Sequence, residues 1–205
     1  MDLLLIHNRT EQTILEKSLA YLGILDHAVV RPHLPHGVWR NTYKIPAALH
    51  FAETSTSEFV FCIDADDSVL IGDPRKALEL LEDSGGDILF STTGHGDYDL
   101  MPDIGFRFLA EAETAGWGAS HDIHLNAGVY VARRRVLVEF LRAATRYVSA
   151  NEPMWSEYRR AMKAHPLDLP PFPFACGSEQ NIFRFIYPAF SASVRLDYNR
   201  RLAYR

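Results

Sequence analysis

No stretch of this 205-residue chain approaches the roughly eighteen consecutive apolar residues of a membrane-spanning helix. Lysine and arginine never gather into a block, and the net charge is −5. A nucleic-acid or anionic-membrane footprint is therefore not expected. Cysteine is scarce. Cys62 lies inside an apolar run and Cys176 in a proline-rich loop, too few and too unlike to make a disulfide framework. The opening MDLLLIHNRTEQ has an apolar run too short for a signal peptide and no basic leader, and with cysteine so scarce the cytosol is the expected compartment. Neither a Cys pair nor a His-Glu-x-x-His frame accompanies the histidine pairs His33/His36 and His121/His124, so no structural zinc is expected. GHGDYD, from Gly94 to Asp99, lacks the strand-to-helix context of a phosphate loop. There is no internal repeat and no low-complexity linker.

What is present is an ordinary soluble composition, 47% hydrophobic and 23% charged, in a chain long enough for one substantial core. Residues 1–205 are read as a single domain. Apolar runs alternate with helical patterns. Leu3–Ile6, His27–Val30, Phe59–Ile63, Asp87–Ser91, Ala127–Ala132 and Ala192–Tyr198 read as strands. TEQTILEKSLAYLG reads as a helix with Thr10 as N-cap and Gly23 as stop, and YKIPAALHFAET as a helix after Pro46. DPRKALELLEDSGG places Pro74 near a first turn and Gly85 past the end. RRVLVEFLRAATRYV is strongly amphipathic, PMWSEYRRAMK reads as a further helix, and Ser178 opens a last one in SEQNIFRFIY. Residues 94–124 read as loop with one helix at most. Continuous apolar strands separated by helices indicate an α/β sheet covered on both faces, with ligands at the carboxyl ends of the strands.

One of those ends is unusual. FVFCIDADDSVLIGDP carries Asp64, Asp66 and Asp67 directly behind an apolar strand. A solvated turn, with Ser68 or Asp73 capping the next helix, is one reading. The other starts from the cost of an unpaired charge near a sheet interior, which a divalent cation would relieve. Carboxylate oxygens are hard donors, so Mg²⁺ or Mn²⁺ suits them.

IDADD behind a hydrophobic strand, then LNAGVYVARR, then GSEQNIF, resembles in order the GT-A glycosyltransferases. The likeness is nearest to the glycosyltransferase domain of procollagen lysyl hydroxylases and the collagen galactosyltransferases. The resemblance runs from the first strand to VRLDY. It implies a GT-A fold, that is, a mostly parallel mixed sheet flanked by helices. It also implies transfer of a sugar from a nucleoside-diphosphate sugar, UDP-linked by resemblance, to a hydroxyl acceptor that is a small molecule, glycan or peptide. By that resemblance Asp64, with Asp66 or Asp67, holds a Mn²⁺ or Mg²⁺ ion bridging the donor phosphates. Asn126 and Gly128 match the strand start that meets donor sugar or acceptor, and small residues there let a ligand approach the backbone. Glu179 and Gln180 match the second member of an acidic pair and its glutamine, with Glu179 the candidate base. His7, Asn8 and Arg9 match the loop beside the nucleotide base, and Lys44 a basic side chain offered to the donor. The chain departs from the pattern at Ser178, where the family has Asp, and in RLDYNRR, which has no His. Asp197 takes the place of third metal ligand there.

Bland readings stand beside several of these. His7–Arg9 also reads as an exposed turn, Lys44 as a solvated lysine, and Met154, Trp155 and Tyr158 as core at helical spacing. A haloacid-dehalogenase-like phosphatase shares the apolar strand ending in Asp-x-Asp, but carries it on its first strand with a later acidic pair. A sugar-nucleotide pyrophosphorylase would open with a basic glycine-rich loop, which IHNRTEQ is not. A non-catalytic nucleotide-sugar-binding module would accommodate Ser178 and the missing His.

Overall fold

A computed structural model of the chain describes residues 1–35, 37–94, 102–118, 121–148 and 178–203, with the isolated positions 160 and 164. The expected helix at PMWSEYRRAMK, the proline-rich loop with Cys176, His36, and most of GHGDYD lie outside the described residues.

The elements follow one another as β1 (Asp2–Ile6), α1 (Ile14–Tyr21), β2 (Ala28–Val30), a 3-10 turn (Asn41–Tyr43) and α2 (Lys44–Thr54). Next come β3 (Phe59–Ile63), α3 (Lys76–Ser84), β4 (Ile88–Thr93), α4 (Pro102–Thr114), β5 (His124–Arg133), α5 (Arg134–Thr145), α6 (Glu179–Phe190) and β6 (Val194–Leu196). The strands form one sheet in the order β2-β1-β3-β5-β4-β6. β1 pairs in parallel with β2 and β3, and β4 with β6, while β5 runs antiparallel between β3 and β4. The expected mixed, mostly parallel α/β sheet is therefore what the chain adopts.

Both faces are covered, which explains why the strands read as continuous apolar runs rather than alternating ones. Leu4, Ile6, Val60, Cys62, Phe90 and Tyr130 face one core, filled from α2, α5 and α6. Leu3, Leu5, Phe61, Ile63, Leu89 and Val131 face the other, against α1 and α3. Each strand splits its residues between the two by its period of two. In α5 the buried positions are Leu137, Phe140, Leu141 and Ala144, a stripe spaced by three and four. Phe140 meets Phe90 and Phe183 with ring centroids 5.6 and 5.1 Å apart, tying α5 and α6 to the sheet.

Several boundaries differ from the sequence expectation. The N-cap of α1 is Thr13, not Thr10. Its hydroxyl accepts from the Glu16 amide while Glu16 accepts from the Thr13 amide, a capping box that Thr10 cannot make. α2 begins at Lys44, ahead of Pro46. In the first turn an amide has no helical partner, so proline there forfeits nothing. β4 continues to Thr93 and β5 starts at His124, because polar side chains at those ends are still buried on the sheet. The last strand is only Val194–Leu196. The helix within 94–124 is α4. Gly85 ends α3 in the left-handed conformation at φ 65°, as a glycine past a helix end should.

Candidate functional site

The pairing of β3 with β5 sets Ile63 against Val129, so Asp64 emerges beside Gly128. The Asp64 amide donates to the Gly128 carbonyl at 2.6 Å, and a Cβ at Gly128 would lie 2.9 Å from Asp64 Oδ2. Only glycine leaves that carboxylate its place. On its other side β5 breaks step with β4. Phe90 pairs with Tyr130 but Ser91 with Asn126, which leaves Ala127 to Val129 out of that ladder. Side chains take over the freed amides: Asn126 Oδ1 accepts from Gly128 at 3.1 Å, and Gln180 Oε1 from Ala127 at 3.4 Å. The first bond fixes which way the Asn126 amide points. Its Nδ2, in a side chain only 3% exposed, finds no partner among the described residues.

Lys44, the first residue of α2, reaches this corner. Its ammonium bonds Asp64 Oδ1 and, at 2.9 Å, Glu179 Oε1. Glu179 opens α6, whose Ser178 hydroxyl caps the Asn181 amide at 3.3 Å. All three side chains are largely withdrawn from water, 15% exposed for Lys44, 28% for Asp64 and 9% for Glu179. Burial pushes the Glu179 carboxyl up to about 7, and the Asp64 charge adds to this while Lys44 opposes it. Burial disfavours the Lys44 ammonium too, but the Glu179 and Asp64 carboxylates outweigh it and hold lysine above its ordinary range. Lys44 is thus firmly charged, and Glu179 is the group whose charge is costly. A cavity of about 10 Å³, lined by Lys44, Asp64, Gly128 and Glu179 among others, is about the size of one water.

The remaining expected site residues divide. His7 is buried at the end of β1; its Nδ1 accepts from the Arg9 amide at 3.1 Å, and burial lowers its pKa. Asn8 is exposed beside it. Asp66 is held in a two-bond fork by Arg9, Nε and Nη2 each 3.0 Å from a carboxylate oxygen, with both side chains about half exposed. That bond, more than anything else, holds the Asp66 carboxyl below its usual range. Asp67 is exposed in the same turn. Asp197 is buried at the end of β6, where it accepts from the Leu202 amide and lines a different groove, of about 620 Å³, with Trp117, Tyr187 and Tyr198. His121 packs edge-on to Trp117 at 4.9 Å, and burial takes His124 down to about 4.

Lys44, Asp64, Asn126, Gly128, Glu179 and Gln180 are therefore brought together, and Asp197 is not among them. Among the described residues no three His, Cys, Asp or Glu side chains are grouped closely enough to cage an ion. The strand-end carboxylates also have their positive partners within the chain, Lys44 for Asp64 and Arg9 for Asp66, so charge relief alone does not call for a metal. These pairings were hidden from sequence reasoning, since Lys44 lies 20 residues from Asp64 and 135 from Glu179, and Arg9 lies 57 from Asp66. The donor chemistry still suits a hard cation. Mg²⁺-type ions need only one or two carboxylates when substrate phosphates complete the shell.

No protein-family model matches the chain, and no curated protein does. Among solved structures it is similar to the galactosyltransferase LgtC in complex with donor and acceptor sugar analogues. The identity is 14%, the match covers 96% of this chain and 73% of that one, and the TM-score is 0.39. None of these comparisons shows kinship with procollagen lysyl hydroxylases or collagen galactosyltransferases. Among the described residues no helix is long and apolar enough to cross a membrane.

Proposed function

We propose that residues 1–205 form one GT-A-like domain that transfers a sugar from a nucleoside-diphosphate sugar, with UDP as the nucleotide, to a hydroxyl acceptor. One observation supports this above the others. The three segments that carry the sequence resemblance, far apart in the chain, meet at the carboxyl end of β3, where Asp64, Asn126–Gly128 and Glu179–Gln180 surround Lys44. Nothing in a solvated-turn reading requires those segments to meet. The cytosol as compartment belongs to the same proposal and rests on cysteine usage.

In the reaction the bond from the donor's anomeric carbon to the diphosphate breaks, and its electron pair leaves on the phosphate oxygen. The acceptor oxygen forms the new bond and gives up its proton. In this reading Glu179 takes that proton. Raised to about 7, it is a stronger base when ionised than an ordinary carboxylate, and at neutral pH a large fraction is ionised. Lys44 fixes the direction of both carboxylates, and the orphaned Asn126 Nδ2 offers a hydrogen bond to a sugar oxygen near Gly128. Asp64, with Asp66 or Asp67, would hold a Mn²⁺ or Mg²⁺ ion, which when bound supplies neutralisation of the leaving diphosphate.

The test is a donor-hydrolysis screen of several nucleotide sugars with Mn²⁺, Mg²⁺ or EDTA, run on wild type and Glu179→Gln. Turnover of at least one donor is expected, and Glu179→Gln should lower it by about 10²-fold or more while UDP still binds. Near-normal turnover in the variant returns Glu179 to helix capping. UDP binding without turnover of any donor leaves a binding module, and hydrolysis of p-nitrophenyl phosphate in its place would point to a phosphatase.

A further inference from the structure

Arg9 stands at the carboxyl end of β1, one loop away from the turn that carries Asp64 to Asp67. Its guanidinium grips Asp66 through Nε and Nη2, both at 3.0 Å. This two-bond fork is the geometry in which arginine binds a phosphate edge as well as a carboxylate. The pair is half exposed, and ion pairs screened by water are weak, so exchanging one anion for another costs little. Arg31, just past the end of β2, donates to the Arg9 backbone carbonyl at 3.4 Å, which brings a second guanidinium beside the β1 loop. Asp66 lies two residues past Asp64 in the turn after β3, and β3 runs parallel beside β1, so the forked pair stands next to the Lys44–Asp64–Glu179 corner.

We propose that Arg9, backed by Arg31, takes the diphosphate of the bound nucleotide, and that Asp66 is the stand-in anion that keeps its guanidinium poised in the free protein. The proposal rests on the glycosyltransferase reading for the identity of the ligand. It adds a phosphate-binding residue from the β1 loop, which sequence resemblance places only near the nucleotide base. In the exchange Arg9 trades one anion for another and its guanidinium keeps a partner, while the half-exposed Asp66 is released to water. The ligand class is an anion with paired oxygens at the mouth of the site, whatever base or sugar lies beyond it.

Opposite behaviour of the two partners separates this role from simple loop tying. Calorimetric titrations of the full chain with UDP, inorganic pyrophosphate and uridine, in EDTA and in Mn²⁺, would be run on wild type, Arg9→Gln and Asp66→Asn. Arg9→Gln should weaken UDP and pyrophosphate by about tenfold or more, the loss of one charge-assisted fork, and leave uridine unchanged. Asp66→Asn in EDTA should bind UDP and pyrophosphate at least as tightly as wild type, because it frees the guanidinium. If the pair only ties loops, both variants weaken every ligand in parallel, uridine included, and the proposal fails. It also fails if Arg9→Gln binds both phosphates like wild type, or if wild type binds neither. Donor turnover with phosphate binding indifferent to Arg9 would reject this role alone. Arg9-dependent pyrophosphate binding without turnover of any nucleotide sugar would reject the transferase reading alone.

Discussion

The two ends of β5 both carry charge, and they differ in what surrounds it. At its far end Arg133 pairs with Glu58 at 3.0 Å and Asp87 at 3.6 Å and stacks over Phe59, with the arginine side chain 39% exposed. Arg134 beside it donates to the Ser57 carbonyl at 2.8 Å. These groups fasten β5 to the β3 and β4 strand ends. At its start, one lysine stands between a part-buried carboxylate, Asp64, and a buried one, Glu179. Where water screens charges, an ion pair is a fastener; where it does not, the same chemistry holds a carboxyl near neutrality and poises a proton. Charge density alone does not tell the two ends apart. Burial does.

Breaking the buried end should have the largest effect. Lys44→Met leaves Asp64 and Glu179 facing each other without a cation, and removing one partner of a buried group of charges costs about 3–5 kcal/mol. Urea denaturation should show that loss, and donor hydrolysis should disappear. The smaller loss expected at a surface site would contradict the burial described here.

Glu179 sharpens the contrast through pH. Its folded pKa, about 7, lies above the ordinary 4.5, so the folded state holds the proton more tightly than the unfolded chain does. The stability this contributes is fully present below pH 4.5 and is lost as pH rises through 7. Against Glu179→Gln, wild-type stability should therefore fall between those values, by a few kcal/mol at most. A difference independent of pH over that window would mean that Glu179 titrates as an exposed carboxyl.

Gly128→Ala comes next. The added methyl group would lie 2.9 Å from Asp64 Oδ2, so the carboxylate must shift, at about 1–3 kcal/mol. Donor hydrolysis should fall with it. Smallest of all is Arg133→Gln at the exposed end, expected to cost less than about 1 kcal/mol in thermal denaturation and to leave transfer unchanged. A loss of activity there would erase the distinction between the ends.

Much of this was legible in the chain itself. The apolar runs of β1, β3 and β5 and the stripe of α5 announce a sheet covered on both faces, because periodicity is local and burial follows it. The members of the site were legible as residue types at strand and helix ends: Asp64, Asn126, Glu179. Their arrangement was not. The partner of Asp64 is a lysine from another helix, and nothing in YKIPAALHF distinguishes Lys44 from a solvated lysine. The capping box of α1 was readable in T-x-x-E at Thr13 and Glu16, but Thr10 in TEQT competes for the same role, and only the Glu16 side chain decides. The early start of β5 was masked by His124 and Asn126, polar residues that a sheet accepts when their side chains are needed there.

The slip between β4 and β5 has a consequence for measurement. Ala127 and Gly128 hold their amide hydrogens through side chains of Gln180 and Asn126, whereas Val131 and Ala132, a few residues on, sit within the regular ladders. Deuterium should enter the first two ahead of the second pair, since freeing them asks only for a side-chain rotation and not for parting strands. Whatever ligand settles over Gly128 will hinder that rotation. The two amides form a built-in occupancy gauge, readable without a label and without knowing the donor.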